Sequence, residues 1–300
     1  MTQIINAHVH MIEMAALNSN ESILPAGISV YEHIEAAIST LKVETLIAQM
    51  DEAEIEQSVL FAVDAPIVYA SNEYVKHLID HHPKRFIGFA SVTPYRTDAT
   101  KTLEHAISDL GLQGLKLHPP LQQFYPNDKR VYPIYEKAME LDIPVVFHVG
   151  TTPFGDRCRL SMANPLLIDD VACDFPHLRI MLTHLGTLFH NEAFMVVEKH
   201  PNVFIDTAAY TYEIPQIINI NLIKRIGRHK IIFGTDYPSP FADELHNMKS
   251  FVDVIRSIGL PSDIEKDIFF DNFQRLLKGG ETKTVPSPME LLAKLQQTPI

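Results

Sequence analysis

Short apolar runs alternate with amphipathic stretches along most of the chain. Eight runs stand out: IINAHVH (4–10), SVLFAV (58–63), FIGFASV (86–92), GLKLH (114–118), PVVFHVG (144–150), RIMLTHL (179–185), VFIDTA (203–208) and KIIFGTD (230–236). They are short and rich in Val, Ile and Phe, the pattern of strands buried on both faces. Between them the apolar positions take a helical period. In TLEHAISDLG, Leu103, Ala106, Ile107 and Leu110 form one stripe, and Gly111 follows as a stop. Comparable patterns occupy 43–55, 71–82, 131–141, 164–175, 190–200, 214–227 and 243–258.

Eight strand–helix units over about 250 residues predict an α/β chain folded as a (β/α)8 TIM barrel. The rival, a doubly wound open sheet, would carry a glycine-rich turn after its first strand, and HVHMIEMAALNSN stands there instead. Residues 11–42 predict a long loop after strand one, the kind of segment that forms lids and site walls. After Gly279-Gly280, PMELLAKLQ predicts a last helix packed outside the barrel. The expected organisation is therefore a barrel domain over 1–280 and a helical tail over 281–300.

Composition narrows the function classes. A 46% hydrophobic, 21% charged chain with a formal charge of −12 is globular and acidic, which argues against nucleic-acid and anionic-membrane partners. Cys158 and Cys173 are too few for a disulfide framework. The opening MTQIINAHVH has no basic and apolar leader pattern, and no apolar run approaches the roughly 20 residues of a membrane span. The expectation is a cytoplasmic protein with a small-molecule substrate, compatible with a homodimer.

The candidate chemistry lies where the strands end. In a barrel the active site sits at the C-terminal ends of the strands. Strand one closes with His8 and His10, which simple alternation places on one face together with Asn6. Strand four closes with Lys116 and His118, strand five with His148, strand six with His184 and strand eight with Asp236. An ionisable group at the end of a buried apolar strand is costly unless it is paired or coordinated. A shared metal site on one rim explains these endings together.

The same residues carry a resemblance. HxH on strand one, His on strands five and six and Asp on strand eight resemble the amidohydrolase superfamily. "GLKLHPP", "LTHLG", "FGTDYP" and "DNFQRLL" are similar to its amidohydrolase-related branch, which holds relatives of aminocarboxymuconate-semialdehyde decarboxylase and gamma-resorcylate decarboxylase. The resemblance runs from about residue 3 to 278. It implies metal ligation by His8, His10, His148 and Asp236, with His184 as a supporting or catalytic histidine. One divalent ion is expected, zinc first, although manganese or iron tolerates the same ligands. Asn6 departs from the acid common at its position in the family. Lys116 stands on the strand where binuclear members carry a carboxylated lysine.

The first functional expectation is a metal-dependent hydrolase, in which an activated water attacks an amide, lactone or related ester. Asp236 would move the proton, His184 would stabilise the oxyanion and Lys116 would anchor substrate. The alternative is a non-oxidative decarboxylase acting on an aromatic or unsaturated carboxylic acid. His118, Arg157, Arg159 and Tyr237 are the further substrate-contact candidates; the two arginines could clamp a carboxylate.

Overall fold

The computed structural model describes residues 3–13, 41–66, 68–152, 158–238 and 247–279. Among them a parallel barrel is built from β1 (Ile5–His10), β2 (Gln57–Phe61), β3 (Phe86–Phe89), β4 (Leu115–Leu117), β5 (Val145–Phe147), β6 (Ile180–Leu182), β7 (Val203–Asp206) and β8 (Ile231–Ile232). The ladders run β1-β2-β3 and β4-β5-β6-β7-β8. A parallel bridge between Ala90 and Leu115 joins the two sets, and another between Val9 and Tyr237 closes the ring. At that seam the Ala7 N–H donates to the Phe233 carbonyl at 2.9 Å and the His10 N–H to the Tyr237 carbonyl at 2.7 Å.

The outer helices that follow the strands are α1 (Val43–Glu52), α2 (Asn72–His81), α3 (Ala99–Ser108), α4 (Tyr132–Glu140), α5 (Leu166–Asp174), α6 (His190–Lys199), α7 (Ile220–Ile226) and α8 (Met248–Ser257). A final helix, α9 (Asn272–Lys278), ends the described chain. The stretch 214–227, expected as one helix, is broken. Ile214–Ile217 forms one turn, and Asn219 then caps α7 by accepting from the Asn221 and Leu222 N–H groups at 3.0 and 3.1 Å. Asparagine competes for local backbone groups and so favours a cap over a helix interior. Most of the expected long loop, and the whole of the expected tail helix, lie outside the described residues. Met11, Ile12 and Leu41, which flank that loop, are buried in the outer apolar layer.

Strand pleat divides the core in two. Leu60, Leu117, Phe147, Leu182 and Ile205 point outward into the layer shared with the helices. Ile5, Ala7, Val59, Phe61, Ile87, Phe89, Val146, Met181, Phe204 and Ile232 fill the barrel. From below, Phe273 and Leu276 of α9 join that inner cluster. Their helix is tied to the starts of β6 and β8, the two strands that flank β7. Asn272 Nδ2 donates to the Ile231 carbonyl at 2.7 Å, and Arg179 Nε donates to the Leu276 carbonyl at 2.8 Å. The barrel is thus packed solid at its base, and polar side chains collect at the opposite mouth.

One local irregularity shapes that mouth. The β1–β2 register shifts between Asn6 and Val9, a bulge in β1. Simple alternation puts Asn6 beside His8 and His10, but the bulge separates them. Ile5 and Ala7 face the barrel interior, while Asn6 bonds to Thr235 Oγ1 at 2.8 Å and lies 4.0 Å from Met248 Sδ of α8. Asn6 Oδ1 accepts from the His8 and Thr235 N–H groups at 3.2 and 3.1 Å. Asn6 therefore pins the bulge and the barrel seam from the outside, while His8 and His10 turn inward.

Candidate active site

Three donor atoms converge at the mouth. His8 Nε2 lies 3.2 Å from His10 Nε2 and 3.0 Å from Asp236 Oδ1, and His10 Nε2 lies 3.4 Å from the same oxygen. The His8 side chain is fully buried, whereas those of His10 and Asp236 are 18% and 14% exposed, so the cluster opens to solvent on that side. On its far side His8 Nδ1 contacts Asp206 Oδ2 at 2.7 Å. Asp206 Oδ1 also accepts the His184 and Ala208 N–H groups at 2.7 and 3.1 Å. A single buried carboxylate thus orients β1 and the turn after β6. Gly234 makes room for this pair. A Cβ there would stand 3.0 Å from the His8 Cβ and 3.4 Å from the Asp206 Cβ.

A second imidazole pair lies beside the first, with the His184 ring centroid 5.0 Å from that of His8. His184 Nε2 is 3.0 Å from His148 Nδ1; the outer nitrogens face carbonyls, His184 Nδ1 on Ala208 at 2.6 Å and His148 Nε2 on Thr151 at 3.0 Å. His118 stacks on His148 with ring centroids 3.8 Å apart and planes 9° from parallel. Its Nδ1 accepts the Leu121 N–H at 3.3 Å, capping the turn Pro119–Gln122. Lys116 projects inward from β4, buried, with Nζ 4.8 Å from the centre of the Phe61 ring. Its Nζ has no hydrogen-bond partner among the described residues. The backbone bends to aim these groups: His184 and Asp236 hold positive φ values of 63° and 56°, a region costly for residues with a side chain.

Electrostatics separates the histidines. Burial lowers the pKa of His10, His118 and His148 well below the ordinary imidazole value and that of His184 to about 4. His8 moves the other way. Burial and Lys116 push it down, but the Asp236 and Asp206 carboxylates outweigh them. Burial opposes ionisation of Asp206 and Asp236 as well, yet the neighbouring His8 holds both below the usual carboxylate range. Burial lowers Lys116 to about 8 against the pull of Asp206 and Asp236.

The donor set fits a divalent cation. Ligand distances of about 2.0–2.2 Å place neighbouring nitrogen and oxygen ligands roughly 3.0–3.5 Å apart around one ion. The His8, His10 and Asp236 atoms have this spacing. If His8 Nδ1–H donates to Asp206, its Nε2 lone pair faces a carboxylate oxygen, an arrangement that needs a positive centre between them. The His148–His184 pair repeats the logic. Both outer nitrogens must carry hydrogens to reach their carbonyls, so the inner nitrogens face each other with room for one proton or cation. Their depressed basicity disfavours the proton.

Of the residues singled out from the sequence, the structure gathers His8, His10 and Asp236 into one group with ligand atoms within 4.8 Å of one another. His148 does not join that trio; it pairs with His184 and Thr151. Lys116, His118 and His184 are all buried at the mouth. Arg159 is exposed near the Tyr125 hydroxyl, and no contact joins it to the mouth among the described residues. Arg157 lies outside the described residues. Tyr237 is buried in the outer apolar layer with Val9. Asp206 was missed, although VFID shows the same signal as the other endings: an acid closing an apolar run.

Fold and site together define a TIM-barrel protein whose mouth carries a His/Asp cluster with the spacing of a candidate cation site. The amidohydrolase family model matches residues 5–279. The chain belongs to that family and is an enzyme of the amidohydrolase superfamily. A 2-keto-4-carboxy-3-hexenedioate hydratase from Sphingobium sp. (strain NBRC 103272 / SYK-6) is 29% identical over 220 residues, 58% of this chain and 59% of the relative. A 2-amino-3-carboxymuconate-6-semialdehyde decarboxylase from Dictyostelium discoideum is 22% identical over 207 residues, 57% of this chain and 56% of the relative. The chain therefore spans less than two thirds of either curated relative. A solved dihydroxybenzoic acid decarboxylase from Polaromonas sp. JS666, with bound manganese and 2-nitroresorcinol, is similar at a TM-score of 0.72 and 18% identity. That match covers 95% of this chain and 99% of the other. No helix among the described residues is long and apolar enough to cross a membrane.

Proposed function

We propose that this protein is a metal-dependent lyase that decarboxylates a small unsaturated or aromatic carboxylic acid without a redox cofactor. The observation that carries the reading is the buried Lys116 Nζ. It has no hydrogen-bond partner among the described residues and lies over Phe61 at the mouth that holds the cation-fitting trio. A buried ammonium without an anion is costly, and a substrate carboxylate or phenolate supplies one. The hydratase and decarboxylase among the relatives, whose names specify carboxylic acids, support this reading over the hydrolase expected first from the sequence.

His8, His10 and Asp236 would hold one divalent ion, with His148 able to join by turning its inner nitrogen from His184. Manganese in the Polaromonas enzyme supports manganese as well as zinc. Bound there, the ion would supply Lewis-acid polarisation of a substrate oxygen. Lys116 would fix a second anionic group, and the Phe61 ring would form an apolar wall against the unsaturated carbon skeleton. During reaction the bond from carbon to the departing carboxylate breaks, its electron pair ends in a new C–H bond, and CO2 leaves. The proton comes from Asp236 or His184, whichever faces the reacting carbon, and solvent replaces it. Asp206 keeps both His8 and the His184 turn aimed.

Hydration of a double bond is a second reading favoured by the 29% identical relative, and the same groups would then deliver water instead of a proton alone. The products separate the readings. Given a panel of hydroxybenzoic and unsaturated polycarboxylic acids, with esters and amides alongside, in 18O-labelled water, the purified enzyme should release CO2 from an acid and leave the remaining product free of label. Label in a product that keeps every carboxylate would install the hydratase. Label in a cleaved ester or amide would restore the hydrolase.

A further inference from the structure

Away from the barrel mouth, a second donor set joins α5 to the end of α6. Asp169 and Cys173 lie one helical turn apart on α5, and His200 follows α6. Their ligand atoms lie within 4.8 Å of one another. His200 Nε2 is 2.7 Å from Asp169 Oδ1. Carboxylate, thiol and imidazole from two packed elements form a mixed oxygen, sulfur and nitrogen set. Such sets favour borderline or soft divalent cations, of which zinc is the commonest.

We propose that Asp169, Cys173 and His200 form a peripheral binding site for one thiolate-preferring divalent cation, separate from the barrel mouth. The site is partly preorganised. His200 is buried, and its backbone is fixed on both sides: its N–H donates to the Val196 carbonyl at 3.1 Å, and its carbonyl accepts from Lys230 Nζ at 2.7 Å. Cys173 is exposed, so the open side admits an ion, and a rotation of its side chain completes the approach. Zinc–sulfur and zinc–nitrogen distances of about 2.3 and 2.0–2.1 Å then require only small shifts from the present spacing.

Lys199 now occupies the carboxylate. Its Nζ lies 2.8 Å from each Asp169 oxygen and 3.7 Å from Cys173 Sγ. That ammonium is the resident counter-cation, and its side chain is 55% exposed. An exposed ion pair of this kind is weak and screened by salt. A metal ion displaces it by gaining the thiolate and imidazole, which a lysine cannot bond covalently. The Cys173 thiol releases its proton to solvent on binding, and the neutral His200 moves its hydrogen to Nδ1. The bound ion would staple α5 to α6 across the outside of the barrel.

Cobalt(II) distinguishes this site from the mouth, because none of His8, His10, His148 and Asp236 carries a thiolate. The full-length protein, stripped by chelation, is titrated with Co2+ and followed by its near-ultraviolet thiolate-to-cobalt absorption. A thiolate band whose final amplitude corresponds to one cobalt–thiolate site per chain is expected, complete once both this site and the mouth are filled. It should be lost in Cys173→Ser, retained in Cys158→Ser and formed at several-fold lower cobalt concentration in Lys199→Met. Absence of the band in the native protein, or its survival in Cys173→Ser, would overturn the assignment. Circular dichroism matching the native protein establishes that each variant is folded.

Discussion

At the scale of single residues, the mouth depends on which atom each polar group faces. Asp206 illustrates this. It contacts no solvent, yet it fixes His8 through Oδ2 and the His184 turn through Oδ1. Loss of a carboxylate that orients a metal-binding histidine costs about 10–100-fold in metal affinity. Asp206→Asn should therefore weaken metal binding by that order in a chelator-competition assay while the chain stays folded; unchanged affinity would show that His8 is oriented by other contacts. Lys116→Met should raise KM for a carboxylate substrate by about 10–100-fold, the scale of a lost charge-assisted hydrogen bond, with a smaller fall in kcat. A fall confined to kcat would place Lys116 in proton transfer instead. The sequence made Lys116, His148 and His184 legible because each ends an apolar strand. Pairing was not legible: whether His148 turns to a metal or to His184 depends on ring orientation, which no sequence pattern encodes.

At the scale of elements, strand periodicity was legible and its exceptions were not. The strands expected from apolar runs appear in order, but their ladders stop early. His118 and His148 directly follow their strands, and His184 and Asp236 come two and four residues after theirs, where the chain turns to aim a side chain. The β1 bulge is invisible in INAHVH, since alternation alone groups Asn6 with the histidines. The bulge is set by bonds from Asn6 to Thr235, more than two hundred positions away. The closing helix is another long-range device. Phe273 is buried inside the barrel base, and truncating a buried aromatic costs about 3–5 kcal/mol. Phe273→Ala should lower the denaturation midpoint accordingly, while metal stoichiometry at the mouth is preserved. A stability change under about 1 kcal/mol would mean that α9 is not integral to the packed base.

At the scale of the whole molecule, the buried histidines couple folding to pH. His10, His118, His148 and His184 are all held below the ordinary imidazole value by burial, His184 at about 4. The unfolded chain takes up protons near pH 6.5 that the folded chain refuses. The unfolded state then binds more protons, so the stability of the metal-free protein falls as pH drops from about 6.5 toward 4. Each unmatched proton contributes a slope of roughly 1.4 kcal/mol per pH unit. His8, raised by its carboxylates, acts with the opposite sign, giving stability that is present below pH 6.5 and lost above its folded value. Four residues outweigh one. The melting temperature of stripped protein should therefore be lower at about pH 5 than at about pH 7; an equal or higher value at pH 5 would contradict the burial of neutral imidazoles.

The barrel class and family were legible at this scale because eight strand–helix units leave few alternatives, and the strand-end residues occur as a set. The reaction was less legible, because one constellation of histidines, aspartate and lysine serves hydrolysis, hydration and decarboxylation. The reading rests on a divalent ion at the mouth that makes CO2 release possible, and one titration tests it most directly. In the Cys173→Ser background, stripped enzyme is titrated with Mn2+ or Zn2+ while CO2 release from a carboxylic acid that it accepts is measured. Activity should rise from near zero and level off at one ion per chain, and fall by about 10²–10⁴ in His184→Asn with the ion still bound. Full CO2 release from enzyme shown to hold no metal would contradict the central claim.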